Sequence, residues 1–162
     1  MSDKLTHFDD DGKTIMVDVG DKPPSKREAV AAGEIRMQPQ TLGQILNRQI
    51  TKGNVLEVAR LAGIMGAKQT PTLIPLCHPL PISSVAIDFE TEPEQGLIRI
   101  YATTRVTGRT GIEMEALTAV SVTALTVYDM CKAIDRTMEI GRIRLLKKSG
   151  GRSGSFEHDE LG

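Results

Sequence analysis

The sequence predicts an α+β fold, in which an antiparallel sheet carries helices on one of its faces. The periodic segments occur in the order strand, helices, strand, strand, helix, strand. Two of the strands are joined by a short polar connection, as in a hairpin. One helical segment, residues 110–135, runs without a turn signal. This order matches the split βαβ plan of ferredoxin-like folds.

The chain opens with an irregular segment. Residues 1–27 mix Asp, Gly and Lys and include the Pro23-Pro24 pair, so we expect an irregular arm with one short extended piece at residues 14–19. The first strand of the sheet is predicted at residues 31–37.

Two helices follow, each predicted from a capping signature. Thr41 with Gln44 three residues later forms a capping box that opens the first helix. Asn54 and Glu57 repeat that spacing and open the second helix, which should end near Lys68.

A proline-rich loop precedes the hairpin. Four prolines within residues 71–81 exclude a regular helix or a central strand over that length, so we expect a stiff, irregular loop. Residues 82–90 and 96–106 are then predicted as two paired strands.

The last helix is predicted at residues 110–135, although its β-branched residues could also suit a strand. Its length and a third capping box, Thr110 with Glu113, favour the helix. Residues 139–146 form the final predicted strand, and residues 152–162 are expected to be a flexible tail.

The long helix also predicts an oligomer. Apolar residues occur all round it, and a helix of that kind is buried on every side. Because one sheet cannot cover both of its faces, a second copy of the chain is expected to cover the other. We therefore predict an obligate homo-oligomer with the long helix buried at the subunit interface.

Composition narrows the class of protein. The 162 residues are 40% hydrophobic, which suits one catalytic domain over residues 1–162. The charged opening indicates neither a signal peptide nor a membrane span, and two distant cysteines fit a reducing compartment, so we expect a cytoplasmic protein. A formal net charge of −1 and 3% aromatic residues argue against nucleic-acid binding.

Asp129 and Lys132 are candidate catalytic residues, since they lie three residues apart on one face of the long helix. One interpretation is a buried ion pair that fixes the register between helices. The other is a carboxylate and an amine whose pKa values partial desolvation moves toward neutrality, so that they act as base and acid. This pair alone does not decide between the two.

The stiff loop and the start of the long helix supply candidate binding residues. Cys77 is expected to be a small buried residue and His78 to bind a ligand, because rigid loops suit binding sites. Neither has metal-ligand spacing, and Cys131 is distant, so we predict no metal site. Glu113 serves as the capping-box acid, which leaves Glu115 as a candidate hydrogen-bond acceptor for a substrate.

Two cationic segments suit phosphate. Lys52 precedes the second helix, whose free backbone N–H groups and dipole attract anions. Lys147 and Lys148 precede Gly150 and Gly151, and this backbone-rich segment could close over phosphates. The chain contains neither the P-loop nor the Rossmann glycine pattern.

Four separated motifs carry a resemblance to a known family. They are LIPLCHPL from Leu73, TGRTGIEMEALTA from Thr107, YDMCKA from Tyr128 and LLKKSGG from Leu145. Together they resemble the molybdenum cofactor biosynthesis protein C family, the cyclic pyranopterin monophosphate synthases, and the likeness extends over residues 16–154.

The resemblance implies a ferredoxin-like phosphorus–oxygen lyase that uses no cofactor. The expected substrate is 3′,8-cyclo-7,8-dihydroguanosine 5′-triphosphate, and the products are cyclic pyranopterin monophosphate and diphosphate, in molybdenum cofactor biosynthesis. It also implies a homohexamer, a trimer of dimers. Because Glu115 and Asp129 are fourteen residues apart, about 21 Å along a helix, we predict active sites shared between subunits.

By resemblance, Asp129 is the catalytic acid–base residue, and Lys52 and Lys132 are active-site lysines. The substrate-binding positions fall on Leu76, Cys77, His78, Met114 and Glu115, with Lys148 as a cation for the phosphates. Asp18, Lys22 and Arg27 match further polar positions of the family. Which of Asp129 and Lys132 takes the first proton stays open.

The alternative is a non-catalytic ferredoxin-like module that binds a nucleotide and regulates a partner. It would explain the segments that suit phosphate, but not why Asp129 and Lys132 should be buried beside the binding loop. Turnover of the cyclised triphosphate separates the two.

Overall fold

The computed structural model of the chain describes residues 6–159. The strands are β1 (Ser25–Arg36), β2 (Ser84–Glu92), β3 (Leu97–Gly108), β4 (Glu139–Ser149) and β5 (Phe156–Glu157). The helices are α1 (Pro39–Leu46), α2 (Val55–Lys68), α3 (Thr70–Leu73) and α4 (Glu113–Cys131). The strands form an antiparallel sheet in the order β2-β3-β1-β4-β5. The sheet order and the order of elements along the chain confirm the predicted α+β, ferredoxin-like fold.

Helices α2 and α4 pack against each other and on one face of the sheet. Strand β3 explains how the core forms, because Ile98, Ile100, Ala102 and Thr104 alternate with more exposed residues and so present one buried face. Helix α4 covers that face with Ala116, Ala119, Val120, Ala124 and Val127, which are all fully buried. The core thus holds α4 firmly and fixes the direction of both of its ends.

Strand β1 begins six residues earlier than predicted. The charged residues at its start do not show the apolar pattern of a strand, so the sequence did not predict this part. The pairing with β3 runs from Ser25 opposite Gly108 to Arg36 opposite Leu97. In the predicted extended piece at residues 14–19, Thr14 forms a β-bridge with Phe8, and residues 15–19 belong to no strand. The long β1 matters for function since it carries Arg27 to the end of β3.

One of the three predicted caps is confirmed. Asn54 caps α2, and its side chain accepts a hydrogen bond from the Glu57 N–H at 3.3 Å. Thr41 is not a cap, because α1 begins at Pro39 and Thr41 is buried inside the helix. Thr110 is not a cap either, since α4 begins at Glu113 after Ile112.

The proline-rich loop and the hairpin are close to the prediction. Pro71 lies in the first turn of the short helix α3, a position that tolerates proline, and residues 74–81 are irregular. The hairpin is confirmed, with β2 and β3 joined through a 3₁₀ turn at Pro93–Gln95.

The C-terminal part is more ordered than predicted. Strand β4 extends to Ser149. Strand β5 lies inside the expected tail and pairs with Lys147 and Lys148 of β4. The ends of the predicted arm and tail, residues 1–5 and 160–162, lie outside the described residues. Within residues 6–159, none of the helices has the length and apolar character needed to span a membrane.

Helix α4 is not buried on every side. Its face toward α2 and the sheet is buried, but Leu125 is 59% exposed. On α2, Leu61 and Met65 are exposed to a similar extent. Within the single chain these helices keep an uncovered apolar surface, and its burial by a second copy of the chain stays a prediction.

Candidate active site

Five residues predicted to bind substrate lie around one cavity at the N-terminal end of α4. Its volume is about 340 Å³, and its lining includes Leu76, Cys77, His78, Met114 and Glu115. We call it the His78 cavity. The stiff loop supplies three of these residues and the first turn of α4 supplies two, so the fold joins segments that are far apart in sequence.

The N-terminal arm closes one side of the His78 cavity. His78 donates from Nε2 to the carbonyl oxygen of Val17 over 2.7 Å, and Val17 and Val19 belong to the cavity wall. At the loop itself, the Cys77 N–H donates to the carbonyl of Ile74 at 3.2 Å. These contacts fix the imidazole ring, so that it faces a ligand in one orientation.

Glu115 is the most deeply buried polar group of the His78 cavity. It is 2% exposed, and burial raises its pKa to about 7, with a further rise from the charge of Glu113 and an opposing effect of a backbone hydrogen bond at Glu115 itself. At neutral pH this carboxyl can therefore either donate or accept a hydrogen bond. Burial, followed by the charge of Glu115, raises the pKa of the Cys77 thiol, which keeps it neutral.

A second, strongly basic cavity adjoins the first. Its volume is about 470 Å³, and five cationic side chains line it, namely Lys22, Arg27, Arg109, Lys148 and Arg152. We call it the cationic cavity. The two cavities share Lys22, Thr110, Gly111 and Glu113. A ligand could therefore lie across both, with its anionic part among the cations.

Backbone contacts hold the arginines of the cationic cavity in place. Arg27 donates from Nε to the carbonyl of Gly108 at 3.0 Å, and Arg109 donates to the carbonyl of Gly20 at 2.6 Å. Gly151 has a φ of +75°, and a Cβ there would collide with the Arg27 guanidinium. The glycine turn after β4 is thus needed for the close approach of Arg27.

Glu113 is an acid among these cations. Its carboxylate lies 3.8 Å from Lys148 Nζ, which replaces the capping role predicted for it. Thr110, the supposed cap, lines both cavities instead. Sequence reasoning missed Arg109 and Arg152, although the glycines beside both arginines were a signal of a backbone able to approach an anion.

The three predicted catalytic residues meet at the other end of α4. Lys132 donates from Nζ to Asp129, while Lys52 Nζ lies 3.8 Å from the second carboxylate oxygen of Asp129 and 3.2 Å from its backbone carbonyl. We call Lys52, Asp129 and Lys132 the Asp129 cluster. Its members come from the α1–α2 loop and from the end of α4.

The Asp129 cluster is exposed, contrary to the prediction of a desolvated pair. The side chains of Lys52, Asp129 and Lys132 are 53%, 60% and 51% exposed. The hydrogen bond from Lys132, then the charges of Lys132 and Lys52, lower the pKa of Asp129. The shift toward neutrality is therefore not found in the single chain, because Asp129 lies on the solvent side of the last turn of α4, whose other side is buried through Val127 and Cys131.

The two groups of site residues do not meet within one chain. Glu115 and Asp129 lie fourteen residues apart on α4, a separation of about 21 Å along the axis.

Cys77 and Cys131 are free thiols. Within residues 6–159, no three or more His, Cys, Asp and Glu side chains come together in a way that could hold a metal ion.

Comparison with known proteins agrees with the resemblance seen in the motifs. The MoaC family model matches residues 16–151. A cyclic pyranopterin monophosphate synthase of Roseiflexus sp. (strain RS-1) is 59% identical over 159 residues, which cover 98% of this chain and 100% of the relative. That of Roseiflexus castenholzii is 60% identical over 156 residues, covering 96% and 98% of the two chains. That of Magnetococcus marinus is 59% identical over 155 residues, covering 96% and 95%.

Proposed function

The chain belongs to the MoaC family, and we propose that it is the enzyme its relatives are named for, a cyclic pyranopterin monophosphate synthase of molybdenum cofactor biosynthesis. Its substrate is 3′,8-cyclo-7,8-dihydroguanosine 5′-triphosphate, and its products are cyclic pyranopterin monophosphate and diphosphate. We expect it to act in the cytoplasm, since both cysteines are free and thiols persist in a reducing compartment.

The observation that carries the proposal is the contact between the two cavities. The substrate has a purine-derived ring system at one end and a triphosphate at the other. Glu115 and His78 offer hydrogen-bonding groups to a ring edge in the first cavity, and the second cavity holds five cations. Because the cavities share Lys22 and Thr110, one extended molecule can occupy both.

The cationic cavity fits the phosphate chemistry. Forming a cyclic monophosphate requires a hydroxyl oxygen to bond to the α-phosphorus while the bond from that phosphorus to the bridging oxygen breaks, and diphosphate leaves with the bridging oxygen. Negative charge accumulates on the leaving diphosphate. Positioned cations stabilise that charge in the transition state, which is the role we give to Arg27 and Arg109, while Lys148 binds the triphosphate.

The Asp129 cluster supplies the proton transfers. Because the pKa of Asp129 is lowered, its side chain is a carboxylate at neutral pH and can accept a proton. Lys132, which is hydrogen-bonded to it, can return a proton as an ammonium. We give Lys52 the role of holding the negative charge of Asp129 in place. Positioned acids and bases of this kind contribute about 10²- to 10⁴-fold in rate.

A second subunit completes the site. The ring-binding end of α4 lies too far from Asp129 for one compact molecule to touch both in the same chain. The exposed side chains Leu125, Leu61 and Met65 give α4 and α2 an apolar surface that another copy can cover. We propose a homohexamer, a trimer of dimers, in which the Glu115 end of one α4 lies beside the Asp129 cluster of another.

The test is turnover by the purified chain. Incubation with the cyclised triphosphate should release one diphosphate for each cyclic pyranopterin monophosphate formed. Lys148→Ala should weaken substrate binding, and Asp129→Asn should remove turnover while binding persists. Tight binding of the substrate without diphosphate release would instead make the chain a nucleotide-binding module.

A further inference from the structure

Asp135 is a buried carboxylate that the proposed reaction does not use. It follows α4 and is 3% exposed. One oxygen accepts hydrogen bonds from the Thr137 N–H at 2.9 Å and the Thr137 hydroxyl at 2.7 Å. The other accepts from the Gln38 N–H at 2.9 Å and the Thr41 hydroxyl at 3.1 Å. Burial works against the charged form, but these hydrogen bonds outweigh it and lower the pKa of Asp135, so the group is a fully bonded anion.

Two of these bonds attach Asp135 to the first turn of α1. The N-cap residue Gln38 makes no side-chain capping bond of its own. Asp135, 97 residues away, accepts instead from the N–H of Gln38 itself, and its negative charge suits the positive end of the helix. Helix α1 leads directly into the loop at residues 47–54, which carries Lys52.

On its other side, Asp135 continues the last turn of α4. The Asp135 N–H donates to the carbonyl of Cys131 at 3.1 Å, and the Lys132 N–H donates to the carbonyl of Tyr128 at 2.8 Å. Lys132 therefore lies in a hydrogen-bonded turn that continues from the end of α4 to Asp135. The carboxylate joins the segment that carries Lys132 to the segment that leads to Lys52.

We propose that Asp135 is a positioning residue for the reaction: its carboxylate holds the end of α4 and the start of α1 together, so that Lys132 and Lys52 keep their places around Asp129. This inference rests on the proposed function, in which Asp129 and Lys132 transfer protons. Two lysines on separate segments need a common anchor, and displacement of a catalytic group by about 1 Å can cost a hundredfold in rate.

The test removes one bond of Asp135 and leaves the Asp129 cluster intact. Thr41→Val deletes the hydroxyl donor with little change in shape, and Thr41→Ser restores a hydroxyl. Thr123→Val is the matched control, because Thr123 is also fully buried but donates to Ala119 within α4 itself, at 2.7 Å. For each variant we would measure kcat, KM and, by NMR, the pKa of the Asp129 carboxyl.

Thr41→Val should lower kcat about tenfold with KM unchanged. The pKa of Asp129 should rise toward its ordinary value, because Lys52, which follows α1, moves away from the carboxylate and its charge no longer lowers that pKa as strongly. Thr41→Ser should recover both properties, and Thr123→Val should change neither. An unchanged pKa in Thr41→Val overturns the positioning role, whereas a raised pKa with normal kcat overturns the acid–base role of the Asp129 cluster instead.

Discussion

The two ends of α4 carry acids in opposite electrostatic states. At the N-terminal end, Glu115 is enclosed by the chain's own loop, and burial raises its pKa to about 7. At the C-terminal end, the Asp129 side chain is 60% exposed, and its hydrogen bond to Lys132 lowers its pKa. The first end lines a cavity, while the second is an exposed surface on which two lysines contact one carboxylate.

In the proposed function, this difference separates substrate binding from proton transfer along a single helix. A carboxyl that titrates near neutral pH can adapt its hydrogen bonding to a ring nitrogen or hydroxyl. A carboxylate that stays charged at neutral pH is available to accept a proton, and its lysines keep it oriented. The exposure of Asp129 in the single chain is consistent with the proposal that a second subunit covers it, since a closed active site excludes water.

The largest effect is expected from Asp129→Asn. It should reduce diphosphate release at least a hundredfold, because the amide cannot accept the proton. Thermal melting should be unchanged, since the side chain is exposed. Asp88→Asn on β2, also at an exposed acid, is the control and should keep full activity. Near-normal turnover by Asp129→Asn would remove the chemical role of the C-terminal end.

Lys148→Ala should act on binding rather than on chemistry. The Lys148 side chain is 17% exposed and lines the cationic cavity. Losing a charged hydrogen bond to a phosphate should raise KM about tenfold, with kcat little affected. Lys26→Ala provides the comparison, because Lys26 is exposed beside a different cavity. A loss confined to kcat would contradict the division between the two ends.

A separate effect, on stability rather than on turnover, should distinguish Glu115 by its pH dependence. Its pKa in the folded chain is about 7, above the ordinary value of 4.5, so the folded state keeps a proton that the unfolded state releases. Stability from this group is therefore complete below pH 4.5 and falls as the pH rises to about 7. The loss is on the order of 3 kcal/mol.

Glu115→Gln carries no titrating proton at this position. Between pH 5 and pH 8 the unmodified chain should therefore lose stability that this variant keeps. Urea denaturation should show the variant's free energy of unfolding rising relative to that of the unmodified chain. Glu139→Gln, at an exposed acid, should follow the unmodified chain at both pH values. Parallel curves for Glu115→Gln would mean that burial does not shift this carboxyl.

Local signals predicted local structure well. The Asn54 cap was predictable because its donor, the Glu57 N–H, lies three residues away. Thr41 fits the same pattern, yet its hydroxyl bonds to Asp135, 94 residues distant. A capping signature cannot reveal such a competing partner, since the partner arrives only when the chain folds.

The same limit applies to the site. The shared cavity of Cys77, His78 and Glu115 was foreseen from the family motifs. Arg109 and Arg152 escaped notice because strand pairing and the turn at Gly151 bring them to the phosphates' side of the molecule. The exposure of Asp129 in the single chain could not be predicted, because apolar content shows that a helix needs cover, but not which of its turns the chain itself covers.

The sharing of sites between subunits is tested most directly by mixing two inactive variants. Asp129→Asn and Glu115→Ala would be dissociated together, reassembled and verified as mixed oligomers. In a mixed pair, one site receives an intact Glu115 from one chain and an intact Asp129 from the other, so random pairing should restore about a quarter of the normal activity. Mixed oligomers that remain inactive would show that each site lies within a single chain.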